Sequence, residues 1–455
     1  MVLTKKPNHP LDLPEIRTRI ASFLRNKDCI SCMCVSKDWL GDFVGPVWNT
    51  IDFESDDVFS EISPEAILKY GQHVRSVLNV LKEEHIAALQ HPAIASLKRV
   101  EFMVTNNKLS LAHFLDIVRR HRESMEILLV SASLVTEESF DEQREIGIYL
   151  NLDALNPTTS LTTLTLHSVC ITRSAFSSIL ESSPCLKTLA LSDTIILASH
   201  PLLSLFRHQS LRLLKASSTQ VWTNDDLNPH SPSLFVHFPT LHQWSIPDSY
   251  HVASIESMKK LRAELSANCP ALKSVSLLDT DSCGVTDYLD NVFYRLKHCS
   301  FPYSALNSAV LLALLEHQHT LTTIVMTVHK AVEPSTPDSV QASKKIIGLL
   351  LKSFRRLTTL SITGHRMDLN SMEEQEVVCD DLKELRVRFH GLDTSVAIDS
   401  CLSRLSNRKK LGVGLVDASD GGGETIGKRV CQQLMRFRKL KTVWLGTRDY
   451  HLPTN

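Results

Sequence analysis

The sequence predicts an α/β fold: a stack of strand–helix repeats with parallel strands on a concave face, helices outside, and a helical segment in front. Three observations predict it. The pattern Leu-x-x-apolar-x-apolar recurs along the chain, apolar residues at helical spacing fill the intervals between copies, and the first fifty residues break the pattern. At 455 residues the chain is too long for one ordinary core unless that core grows by stacking.

The strongest copies are Leu161/Leu164/Leu166, Leu186/Leu189/Leu191, Leu211/Leu214/Ala216, Leu241/Trp244/Ile246 and Leu272/Val275/Leu277. They continue with Leu296/Cys299/Phe301, Leu321/Ile324/Met326, Leu357/Leu360/Ile362, Leu382/Leu385/Val387 and Leu440/Val443/Leu445. The first leucines are separated by 25, 25, 30, 31, 24, 25, 36 and 25 residues, then by 58. A degraded copy near Leu411/Gly414/Val416 divides that last gap. Weaker copies stand upstream at Leu97/Val100/Phe102 and Met125/Leu128/Val130. A short strand alternates its side chains, so positions four and six point into the core. The return segments 174–182, 309–317, 343–353 and 424–437 carry apolar residues at helical spacing. Each unit leaves one face bare, and stacking buries it.

This pattern resembles a leucine-rich repeat. Regular repeats of that kind place Asn or Cys at position nine to cap the turn, whereas here that position is Val169, Thr194 and Thr280. An irregular solenoid follows, with long loops expected at 221–239 and 372–381. His329, His365 and His390 occupy position nine of consecutive copies. Stacking would line them up on one rim, as turn caps or as a metal or pH-sensitive site.

The front segment runs Leu13-Pro14-Glu15-Ile16, then Ile20, Leu24, Asp28, Val35-Ser36-Lys37 and Trp39. A helix starting at Pro14 with Asp12 as cap fits it, as does a second helix capped by Asp28. A unit of about forty residues buries little surface and wants a partner. These residues resemble an F-box. Together with Asn268-Cys269-Pro270 before Leu272, they make the chain similar to the F-box/leucine-rich-repeat proteins, of the fungal F-box-like type. The resemblance implies an F-box-like domain at 9–50 and a solenoid at 51–450; because Trp48/Ile51/Phe53 repeats the strand pattern at once, the two are expected to join without a flexible linker. It implies a Skp1-type adaptor held by Leu13, Pro14, Ile16, Ile20, Val35, Lys37 and Trp39, and through it a cullin-RING ubiquitin ligase. The alternative is a free-standing repeat scaffold or inhibitor whose front segment caps the solenoid.

The net charge of -1 gives no global pull toward nucleic acid or an anionic membrane. The first ten residues lack an apolar stretch, the longest aliphatic run is too short for a bilayer, and eleven cysteines are scattered. An intracellular site, cytoplasmic and/or nuclear, is the expectation. No nucleotide-binding, zinc-protease or serine-hydrolase motif occurs, so neither enzymatic activity nor a cofactor is expected. Cys29, Cys32 and Cys34 are expected to be small buried thiols, and Gly421–Gly423 a loop. Toward the C-terminus the outward strand positions turn basic and aromatic: Lys383, Arg386, Arg388, Lys441 and Trp444. That composition suits an acidic or phosphorylated segment of a protein substrate.

Overall fold

The computed structural model describes residues 9–54, 63–80, 82–104, 108–132, 160–198, 207–217, 220–223, 232–246, 255–277, 280–327, 346, 349–350, 352–368, 384–390, 410–415, 442–445 and 448–451. Short parallel strands alternate with helices or turns in a repeating, solenoid-like α/β arrangement. Two compact units divide the chain. The first holds residues 1–215 and 219–231; the second holds 216–218 and 232–455.

In the first unit Thr50–Asp52, Ser76–Val80, Arg99–Val104, Ile127–Ala132, Thr163–His167 and Thr188–Ser192 pair in that order, all parallel. In the second the order is Gln243–Ser245, Ser274–Ser276, His298–Pro302, Thr323–Thr327, Thr359–Asp368, Glu384–His390, Lys410–Leu415 and Thr442–Leu445. Among the described residues the last strand, Arg448–His451, is antiparallel to Thr442–Leu445 and ends the ladder with Arg448 and Asp449 on it. That composition discourages further strand addition.

The motif positions fill the core as the alternation requires. Leu161, Leu164 and Leu166 are buried, as are Leu321, Ile324 and Met326 and the weaker upstream triads at Leu97 and Met125. The registers keep position four opposite position four: Leu164 faces Leu189, and Cys299 faces Ile324. The copy near Leu411 needs a correction on this ground. Leu385 faces Leu411, and Leu411 faces Val443, so Leu411 is a position-four residue and the frame is displaced by three.

The outer segments differ from repeat to repeat. Helices Arg173–Ser182 and Ser308–Glu316 match expectation within one residue. The helix expected at 343–353 is described only in part, and 424–437 lies outside the described residues. The expected loop at 221–239 contains more order than its polar composition suggested: a strand Gln220–Thr223 and a 3-10 turn Pro232–His237. That strand joins Ile195–Ala198 and Cys170–Thr172 in a second, three-stranded parallel sheet within the first unit. The loop expected at 372–381 lies outside the described residues.

The turns leaving the strands are closed without an Asn at position nine. Ser168 and Asp193, both at position eight, take positive φ of 54° and 50°, a region that small polar side chains tolerate. Thr194 at position nine is fully buried, and its Oγ1 lies 3.1 Å from both the Leu166 and Ser192 carbonyls. A threonine hydroxyl thus ties one turn to the repeat before it. Asn79, at φ 55°, supplies the extra residue where the register of Ser76–Val80 shifts against Arg99–Val104.

Buried histidines join successive repeats at the other end of the strands. His121 Nδ1 accepts from the Leu97 N–H at 3.4 Å. His208 Nδ1 accepts from the Leu211 N–H at 3.1 Å, and its Nε2 lies 2.9 Å from the Ser183 carbonyl. His317 Nε2 lies 3.1 Å from the Leu289 carbonyl. Cys269 plays the same part, its Sγ reaching the Phe235 and Phe238 carbonyls at 3.5 and 3.3 Å. Burial, with the Arg120 charge adding to it, holds the His121 pKa down to about 4, while the nearby Ala95 carbonyl opposes the shift. Burial also lowers His208 and His317, again against an opposing carbonyl bond.

These groups are neutral in the folded chain but take up protons near pH 6.5 once it unfolds. Stability is therefore full above that pH and falls as acid approaches pH 4. His121 alone should remove on the order of 3 kcal/mol across this window. Urea midpoints measured from pH 7 to 4.5 should fall, and His121→Gln should flatten the fall. Parallel pH profiles for the two proteins would contradict this account.

Candidate protein-interaction surface

Three helices form the N-terminal segment: Pro14–Ala21, Asn26–Met33 and Lys37–Asn49. Pro14 opens the first, where its missing N–H costs nothing. Asp12 does not cap it, because it ends a 3-10 turn and its carboxylate accepts from the His9 N–H at 2.9 Å. The second helix begins three residues earlier than expected, at Asn26. Asp28 lies in its first turn, paired with Arg25 at 3.1 Å, and makes no cap. Ser36 caps the third helix by accepting from the Trp39 N–H at 3.3 Å.

The interior of this segment is small. Ala21, Cys29, Phe43, Val44, Val47 and Trp48 are buried in it. Arg17, buried beside them, forms an ion pair with Asp42 and donates to the Leu11 carbonyl at 2.7 Å. A charged pair thus clamps the first helix onto the third. Trp39 stacks flat on Phe43, their centroids 5.4 Å apart. Desolvation raises the Cys29 pKa, with Cys32 and Asp28 adding to it, so no ready thiolate stands there. Cys32 is half-buried, but Cys34 is exposed, contrary to expectation, because it follows the helix end at the turn into Val35.

All seven adaptor-facing candidates keep some access to solvent. Leu13 is 36% exposed and Val35 62%; Pro14 and Lys37 are exposed, while Ile16, Ile20 and Trp39 are half-buried. Leu13, Ile16 and Ile20 share a helix side through i, i+3 and i+7 spacing, beside the inward stripe of Arg17 and Ala21. Phe23, just past the helix end, continues the spacing and is 73% exposed under the Arg19 guanidinium. Its i+3 relation to Ile20 was the available signal for it. Leu68, on helix Pro64–Tyr70, is a further exposed apolar residue that no pattern marked.

The strand positions between the core residues are less open than alternation alone suggests. Thr162, Thr163, Thr165, Thr322, Thr323, Thr358 and Thr359 are all half-buried. The hydroxyls of Thr162, Thr322 and Thr358 donate to the carbonyls of Glu126, Lys297 and Thr322 at 3.0, 3.0 and 2.9 Å. Their first task is holding repeats together.

Arg386 and Arg388 lie on strand Glu384–His390, where Arg386 faces Gly412 and Gly412 faces Trp444. The side chains of these three, and Lys383 and Lys441 altogether, lie outside the described residues. The histidine row is not formed as expected. A register shift between Ser361 and Arg366 puts Asp368, not His365, opposite His390, and His329 lies outside the described residues, as does 421–423. Among the described residues no three His, Cys, Asp or Glu are grouped to hold a metal, and no helix is long and apolar enough to cross a membrane.

No family model matches the chain. No curated protein matches it. Among solved structures it is similar to the crystal structure of the Rad7 and Elc1 complex in yeast, at 11% identity and a TM-score of 0.31, over 91% of this chain and 96% of that one. A likeness of that size carries no argument about function.

Breaking a buried ion pair from one side leaves an uncompensated charge. Asp42→Ala should therefore destabilise the N-terminal helices by on the order of 3 kcal/mol. Hydrogen exchange in residues 14–49 should speed up while amides of the second unit stay protected. Unchanged exchange in 14–49 would show that the pair does not hold the segment.

Proposed function

We propose that this protein is a non-enzymatic substrate receptor of a Skp1–cullin–F-box ubiquitin ligase. The observation that carries the reading is apolar exposure on a segment whose own core is already filled. Leu13, Phe23 and Val35 stand open to solvent while Phe43, Val44 and Val47 close the interior. Three large apolar side chains left exposed on so small a unit suit a partner-binding role. Leu13, Pro14, Ile16, Ile20, Val35, Lys37 and Trp39 contact the adaptor in this reading, as the F-box resemblance of residues 9–50 implies.

The repeats then hold the substrate. Lys383, Arg386, Arg388, Lys441 and Trp444 receive an acidic or phosphorylated segment, arginine suiting carboxylate and phosphate alike. The complex works in the cytoplasm, the nucleus or both. No cofactor enters this scheme.

A second reading has an observation of its own. The N-terminal helices belong to the same compact unit as the first repeats, and a repeat array needs a cap. On that reading the protein is a free-standing scaffold or inhibitor. Co-purification with a recombinant Skp1-type adaptor separates the two. The parent protein should associate, and Leu13→Ala/Pro14→Ala and Val35→Glu should each weaken association at least about fivefold, the loss that marks an interface residue. No association of the parent, or equal association of folded variants, would sink the ligase reading.

A further inference from the structure

In the second unit, helix Ile255–Asn268 lies one repeat before the loop that leads into strand His298–Pro302. Tyr294, in that loop, is 49% exposed. Two guanidiniums stand against its ring: Arg262 from the helix at 5.6 Å from the centroid, and Arg295 beside it at 5.7 Å. Both distances fall within cation–π range. These contacts gather the ring and both cations on one surface.

The basic character continues along the strand starts. Lys297 follows Arg295 across the buried Leu296, and its N–H bonds to the carbonyl of Lys273 on the neighbouring repeat at 2.8 Å. Both lysines are exposed, and so is Arg295. Among the described residues none of Arg262, Lys273, Arg295 and Lys297 has a carboxylate within 4.0 Å. Asp290 and Glu316 lie near His317, and neither forms an ion pair with these cations. Two guanidiniums thus flank an exposed aromatic ring, two exposed lysines continue the basic run along the neighbouring strand starts, and among the described residues none of the four is in an ion pair.

We propose that this surface docks a carboxylate-rich segment of a partner protein. The arginines engage acidic side chains and Tyr294 packs against the segment's apolar atoms. Exposed aromatic and arginine residues are the types that dominate binding energy at protein interfaces. A nucleic acid fits less well: one ring offers no run of stacking platforms, and the net charge is -1. This assignment rests on reading the repeats as a partner-binding surface and is independent of the ligase connection.

The test is fluorescence anisotropy of the full chain with a short fluorescein-labelled poly-glutamate peptide at low salt. The parent protein should bind it, and rising salt should weaken binding. Arg262→Ala/Arg295→Ala should reduce affinity on the order of tenfold or more. Tyr294→Ala should also reduce it, while Tyr294→Phe, which keeps the ring, should not. Arg119→Ala/Arg122→Ala, removing arginines already beside acids in the first unit, should leave affinity unchanged. Circular dichroism melts certify that each variant is folded. Absence of binding, equal binding by the Arg262/Arg295 variant, or equal competition by a single-stranded oligonucleotide would overturn the proposal. Adaptor co-purification from the same preparations keeps its failure distinct from failure of the ligase reading.

Discussion

One backbone carbonyl per repeat accepts two successive N–H groups from the repeat that follows, and the rest of the structure depends on that arrangement. The Glu126 carbonyl receives Thr162 and Thr163, the Thr162 carbonyl receives Lys187 and Thr188, and the Lys297 carbonyl receives Thr322 and Thr323. The pattern occurs nine times among the described residues, with distances of 2.7–3.1 Å. A slip of one residue would turn every apolar side chain outward, so fixing this point fixes the core. Three position-two threonines add a hydroxyl bond to the same carbonyl or its equivalent. Buried histidines and Cys269 make a separate set of ties where the helices end.

Because register is set by the backbone, the outer segments are free to vary. Some are helices of eight or more residues, one is a 3-10 turn, and one stretch forms a second small sheet. Exposed positions are likewise released from structural duty. The apolar side chains of the N-terminal helices and the basic-aromatic edge around Tyr294 are both surplus to their own cores. Exposed apolar and basic-aromatic surfaces of this kind suit holding partners.

The repeat was legible in the sequence because its signal is the core itself. Leu, Ile and Val at positions one, four and six are read directly, and Leu164, Leu189 and Ile324 sit where that reading puts them. What failed depended on details that alternation does not encode. The Leu411 frame and the histidine row failed because strand register shifts at a bulge and a degraded copy. Asp12 and Asp28 are good cap residues by type, but the chain enters each helix at a different residue. Thr194 capping a turn, and Thr162 bonding the preceding repeat, use an ordinary hydroxyl that carries no distinctive spacing. Tyr294 escaped notice because its arginine partner, Arg262, is thirty-two residues away in sequence.

Native-state hydrogen exchange, read residue by residue, tests the shared-carbonyl ladder most directly. The amides of Thr162, Thr163, Lys187 and Thr188, and of Lys297, His298, Thr322 and Thr323, should be among the slowest in their units, opening only with the unit as a whole. Exchange of these amides at the rate of an unstructured chain, with the helices still protected, would contradict the account.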